Sequence, residues 1–164
     1  MNYRFDNRSK EQFKREIKES TLRERTLFLL WISLIEHETG KRPNFRDVGC
    51  GNDGEYLEDS QVSTDPDFWV DGYGQIEVKF SKPLLTKTFH LKANQVKSYL
   101  KKNAAILMVN GADSDAPTFT ILKPKALKNI MKSCEIIPWT GFGGKQSYRI
   151  PVDMFVWRSL CTST

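Results

Sequence analysis

Three charged side chains in one short stretch could do chemistry together. Asp67, Glu77 and Lys79 lie in Pro66-Asp67-Phe68-Trp69-Val70-Asp71-Gly72-Tyr73-Gly74-Gln75-Ile76-Glu77-Val78-Lys79. Phe68, Trp69, Val70, Ile76 and Val78 flank a Gly72-Tyr73-Gly74 turn, so the stretch reads as a hairpin of two buried strands. A two-residue turn at Gly72-Tyr73 would pair Phe68 with Glu77 and send Asp67 to the opposite face. A three-residue turn, with Gly74 in the left-handed region, pairs Trp69 with Glu77 and Asp67 with Lys79. The second register is expected, and it places Asp67, Glu77 and Lys79 on one face. Two carboxylates and an ammonium there are costly unless something uses them. A divalent cation bridging Asp67 and Glu77, with the main-chain carbonyl of Val78 as an extra ligand, fits the group. It would hold a phosphate oxygen and lower the pKa of a bound water. Lys79 would orient or deprotonate that water, or stabilise a pentacovalent transition state. The competing reading is a cross-strand salt bridge on a solvated face. Asp71 reads as a turn residue, because Asp-Gly opens turns, and is the fallback first acid in another register.

Composition narrows the alternatives. The chain has 164 residues, 39% apolar and 27% charged, which suits one soluble globular domain with a core of its own. Its 3 cysteines, Cys50, Cys134 and Cys161, are far apart and form no C-x-x-C, so a zinc site or a disulfide scaffold is not expected, and a reducing cytosol fits. With His37 and His90 as its 2 histidines, a histidine-based triad is nearly excluded. Any metal should be a hard cation on carboxylates. The apolar run Leu27 to Leu34 is too short for a membrane span, and the N-terminal MNYRFDNRSK has no secretory apolar region.

The net charge of +5 is segregated along the chain. Residues 47–79 hold nine acids and one base, whereas residues 80–149 hold twelve bases and three acids. Residues 1–46 hold eleven bases and seven acids. An acidic middle with basic flanks suits a metal-binding centre beside an anionic polymer, or else a set of solvated faces.

The elements that must position these groups are legible in outline. Ser9-Lys10-Glu11-Gln12 is a capping box opening a basic helix to about Glu19. Thr21-Leu22-Arg23-Glu24 is a second, opening an apolar helix to about Glu38 that Gly40 and Pro43 end. Residues 49–64 read as a long Gly- and Asp-rich loop. Lys92 to Lys102 reads as a helix with Val96, Tyr99 and Leu100 on one face. Ala104 to Val109 and Pro117 to Leu122 read as strands, and Pro124 to Lys132 as a helix with proline in its first turn. A Gly-rich turn at 141–144, a short strand at 147–150 and an apolar end follow. Alternating strands and helices after residue 65 indicate an α/β sandwich with a mixed central β-sheet.

Pro66-Asp67 followed across a hairpin by Glu77-Val78-Lys79 resembles the motif of the PD-(D/E)xK nuclease superfamily. The upstream helix and the downstream helix–strand unit resemble its core, over residues 20–122. The resemblance implies a restriction-endonuclease-like α/β core, its mixed central sheet flanked by helices, in a single nuclease domain over 1–164. A basic helix would occupy 1–20, the core 20–122, and C-terminal additions 123–164. Asp67 and Glu77 would hold Mg²⁺ or Mn²⁺, and Lys79 would serve the water or the transition state. Gln95 resembles the glutamine that junction resolvases and many phage or restriction-type nucleases carry after the E-x-K strand. Gln95-x-x-x-Tyr99 also resembles an element of the exonuclease branch. The first-helix glutamate of the superfamily points to Glu24 as a further metal ligand, with Glu36 and Glu55 as alternatives and a plain capping role for Glu24 beside them. Lys82, Lys87, Lys92, Lys97 and Lys145 become candidate DNA-phosphate contacts. Gly141 to Lys145 is a plain turn or a phosphate nest.

The implied activity is Mg²⁺-dependent endonucleolytic hydrolysis of DNA by a cytoplasmic homodimer, in a bacterial or phage-infected cell. Branched DNA such as a Holliday junction, a specific duplex site of restriction or homing type, and nicking all remain open as substrates. A catalytically inactive DNA-binding module, and an α/β domain with a coincidental motif, are the readings from other classes.

Overall fold

The computed structural model describes residues 9–49 and 66–161. The loop read over 49–64, with Glu55 and Cys50, lies outside the described residues except for Gly49.

The chain opens on helix α1 (Lys10–Thr39), 30 residues and about 45 Å long. The two helices expected over this stretch are one. Ser9 caps it, its hydroxyl accepting from Gln12 N–H at 3.1 Å, but Thr21 lies inside the helix and caps nothing. Ala-free though it is, the stretch around residue 20 contains no Gly or Pro to break the ladder. Gly40, at φ 71°, ends the helix in the left-handed region as expected.

Strands β1 (Phe45–Asp47), β2 (Phe68–Val70), β3 (Gly74–Ser81), β5 (Ala105–Asn110), β6 (Thr118–Leu122) and β9 (Arg158–Ser159) form one sheet in the order β1-β2-β3-β5-β6-β9. β3 and β5 run parallel and the other neighbours antiparallel, so the sheet is mixed. The parallel pair is bridged by β4 (Thr88–Lys92) and helix α2 (Ala93–Lys101), the long crossover such a pair requires. Helix α3 (Pro124–Ser133) follows β6. β7 (Glu135–Trp139) and β8 (Lys145–Pro151) join β4 in a second sheet, ordered β4-β8-β7. The protein is thus α/β, a mixed sheet flanked by helices. No described helix is long and apolar enough to cross a membrane.

The central sheet is buried on both faces. Leu27, Phe28, Trp31, Ile32 and Ile35 of α1 pack on Phe68, Val70, Ile76, Val78 and the Ala105/Leu107/Val109 side of β5. The Phe28 ring stacks on Phe68 at 3.7 Å, and truncating either to Ala would cost about 3–5 kcal/mol. On the other face Ile106 and Met108 pack with Val96 and Tyr99 of α2, Leu127 and Ile130 of α3, and Phe89, Tyr148 and Ile150 of the second sheet. Residues 135–151, read from sequence as part of the C-terminal additions, therefore wall the second core through β4. Because Glu77 and Lys79 alternate with Ile76 and Val78, they face this second side, away from α1's apolar stripe.

Candidate active site

The hairpin register differs from expectation. Phe68 pairs with Ile76, Trp69 with Gln75 and Val70 with Gly74, so the loop is Asp71-Gly72-Tyr73. Asp71 is held at its first position by its N–H to Asn44 O (2.9 Å) and by its Oδ2, which accepts from Asn44 Nδ2 (3.1 Å). Gly72 and Gly74 both take positive φ, 80° and 77°, which residues with a Cβ avoid. Asp67 consequently comes level with Glu77 rather than Lys79. The displacement is two residues, so Glu77 and Lys79 keep their shared face, while Asp67, just ahead of β2, turns its carboxylate to the Val78 N–H. Asp71 is a turn residue and lies outside the site.

At the site, Asp67 Oδ2 accepts the Val78 N–H at 2.9 Å, pinning the carboxylate against β3. Its carbonyl accepts from Val48 and Gly49 N–H. Glu77 is only 6% exposed, and its Oε1 accepts from Lys79 Nζ at 2.5 Å and from the Tyr99 hydroxyl at 2.7 Å. Glu24 approaches from α1, accepting from Ser20 Oγ at 3.5 Å. A crevice of about 10 Å³, about the room of one water or ion, lies among Glu24, Asp67, Thr21 and the Arg25–Asp47 ion pair.

These charges perturb one another strongly. Burial, and then the charges of Asp67 and Glu77 against that of Lys79, push the Glu24 carboxyl up to about 7. Burial, and then Glu77, push Asp67 up to about 6, against the Val78 N–H and Lys79. Burial opposes the Lys79 ammonium, but Glu77, Tyr99 and Glu24 outweigh it and hold the pKa above its ordinary value. The Tyr99 hydroxyl is likewise pushed up, by burial and by Glu77 against Lys79, and stays a donor. Three carboxylates against one ammonium leave two negative charges when all ionise, the complement of a divalent cation. Among the described residues, however, no three His, Cys, Asp or Glu side chains are drawn together closely enough to hold a metal ion.

The other sequence candidates are spread more widely. Gln95 lies one turn before Tyr99 on α2, half-buried; its backbone N–H donates to Asn94 Oδ1, and among the described residues no hydrogen bond joins its side chain to the carboxylates. Glu36 is paired with Arg42 at 2.8 Å near the far end of α1 and is not part of the site. Val78 contributes its N–H to Asp67. Lys92 and Lys145 come together beside the site: burial, then Lys145 and Lys79, lower the Lys92 pKa. Lys92 Nζ also sits 5.0 Å from the Phe142 ring. Lys97 and Lys87 are exposed, on α2 and ahead of β4. Lys82 lines a separate cleft with Glu16, Glu19 and Asp113. Tyr99, assigned from sequence to the apolar face of its helix, is the site residue that reading passed over. Its four-residue spacing from Gln95 was the only hint, and a buried tyrosine needs a hydroxyl partner.

No protein-family model, curated protein or solved structure matches the chain.

Proposed function

We propose that the chain is a divalent-metal-dependent endodeoxyribonuclease of the PD-(D/E)xK class, with a restriction-endonuclease-like core. The meeting of Glu24, Asp67, Glu77 and Lys79 at one end of the central sheet carries this reading. Asp67 and Glu77, with Glu24 beside them, offer the hard oxygen donors that Mg²⁺ or Mn²⁺ takes. Such an ion, when bound, supplies Lewis-acid polarisation of a phosphate oxygen and acidifies a water. Lys79, held as an ammonium by Glu77, donates to a phosphate oxygen and offsets transition-state charge, and does not serve as the base. Glu24, whose proton affinity lies near neutrality, accepts the proton of the attacking water. Tyr99 positions Glu77. Lys92 and Lys145 hold a flanking phosphate. A homodimer places two such sites on the two strands or arms of the DNA, and the cytoplasm is the compartment such an enzyme would work in.

A second reading, a DNA-binding module without catalysis, is favoured by Glu77 already being engaged by Lys79 and Tyr99. Incubating the full chain with supercoiled plasmid, linear duplex, single strand and a four-way junction separates the two. With Mg²⁺ or Mn²⁺ the nuclease reading expects cleavage that EDTA, Glu77→Gln and Lys79→Ala each abolish. Cleavage retained by both variants would sink it, and binding without cleavage under every metal favours the silent module.

A further inference from the structure

A cleft of about 710 Å³ lies away from the carboxylates, along α3. Lys125, Lys128, Asn129 and Lys132 line it at the i, i+3, i+4 and i+7 positions of one helix face, and Lys123 joins them from the N-cap. Ile121 and Phe155 give it an apolar floor. Leu127 and Ile130, on the opposite face of α3, are fully buried. The lysine face is therefore locked outward. Among the described residues none of the four lysines has a carboxylate partner, whereas Arg23, Arg25, Arg42, Arg149 and Arg158 all have one. Like charges one turn apart destabilise a helix by a few tenths of a kcal/mol, so nothing in α3's own stability calls for this arrangement.

We infer that the α3 lysine face is a second DNA contact, a track for one strand's phosphodiester backbone outside the carboxylate site. The shape of the stripe argues for a polymer. From Lys123 at the N-cap to Lys132 the four lysines span about 13 Å of helix axis, at intervals of about 4.5 Å, the same order as the ~3.4 Å per charge of a DNA strand. They lie in a row and do not converge as a cage for one small anion would. No described acid interrupts the row, so a strand crossing it meets attraction throughout. The inference rests on the nuclease reading for the identity of the polymer, but it is tested without cleavage.

The test is duplex binding by the full chain in EDTA, followed by fluorescence anisotropy across a salt series. Each phosphate contact contributes about 0.9 to the slope of log K against log salt. K125Q/K128Q/K132Q is expected to reduce that slope by about 2–3 and to weaken binding at least tenfold at low salt. K125R/K128R/K132R should keep the slope, and thermal melting should show both variants folded. A slope unchanged in the glutamine variant overturns the assignment, whether or not that face binds inorganic phosphate or a mononucleotide. So does a wild-type chain that binds no DNA. Binding that depends on α3 in a chain that cuts no substrate supports the track while removing the nuclease reading.

Discussion

On β3, Lys79 stands 2.5 Å from the buried Glu77; on α3 and its N-cap, four lysines face solvent with no carboxylate partner among the described residues. Both regions concentrate charge, and they do so in opposite ways. In the first, low solvent access makes each group's proton affinity depend on its neighbours, so Glu24 and Asp67 rise while Lys79 stays charged. In the second, water screens the mutual repulsion of the exposed lysines. Burial, more than the number of charges, separates a group whose proton affinities depend on one another from a row of exposed charges.

Breaking the buried pair should have the largest effect. Lys79→Ala leaves Glu77 buried without its cation and is expected to destabilise the protein by about 3 kcal/mol, with cleavage falling at least 10²–10³-fold. Denaturant unfolding and plasmid nicking read the two consequences. Glu77→Gln should lose cleavage as completely at a smaller cost in stability, because an amide carries no charge to strand.

Next comes pH. Glu24 and Asp67 bind protons more tightly folded than unfolded, at about 7 and 6 against ordinary values of 4.5 and 3.8. Between those limits the native state holds more protons than the unfolded one, so stability falls as pH rises. Without metal, stability should be highest near pH 4 and decline toward pH 7, by on the order of 3 kcal/mol for Glu24, and the melting temperature should fall with it. Glu24→Gln should flatten the decline, as should millimolar Mg²⁺. A melting temperature that climbs over this range contradicts the burial of these carboxylates.

Tyr99→Phe sharpens the comparison further. It removes one of two donors to Glu77 Oε1 and should cost about 1–2 kcal/mol, with a smaller loss of cleavage than Lys79→Ala. The smallest effect belongs to α3. Relieving its repulsion with K125Q/K128Q/K132Q should change stability by no more than about 0.5 kcal/mol, toward greater stability, with calorimetry as the check. Marked destabilisation would mean that the row is structural after all.

Much of the fold could be read locally. Ser9 and Gly40 bound α1, and both act through contacts within one turn. β5 reads as an apolar run because it is covered on both faces. In the second sheet, β8 is read at 147–150, but β4 and β7 are less visible. β4 alternates Phe89 and Leu91 with Thr88, His90 and Lys92, but the helix that follows at once hid its five residues. β7 is an edge strand with Pro138 in it, a residue that argues against a strand except at an edge. The break expected between two helices at Thr21 failed because a capping sequence inside a continuous ladder has nothing to cap.

The sequence by itself determined that Glu77 and Lys79 share one face of β3, because strand alternation survives a shift of two residues. It also placed the Asp, Glu and Lys on adjoining strands. Only the tertiary structure decided that Asp67 stands level with Glu77, that α1 brings Glu24 to the group, that Tyr99 donates to Glu77, and that Lys79 stays protonated. It also turned one face of α3 into an unpaired cationic row. Alternation is a property of the local backbone. Proton affinity and pairing depend on distance and solvent access between residues far apart in the chain, and those quantities exist only once the elements have packed.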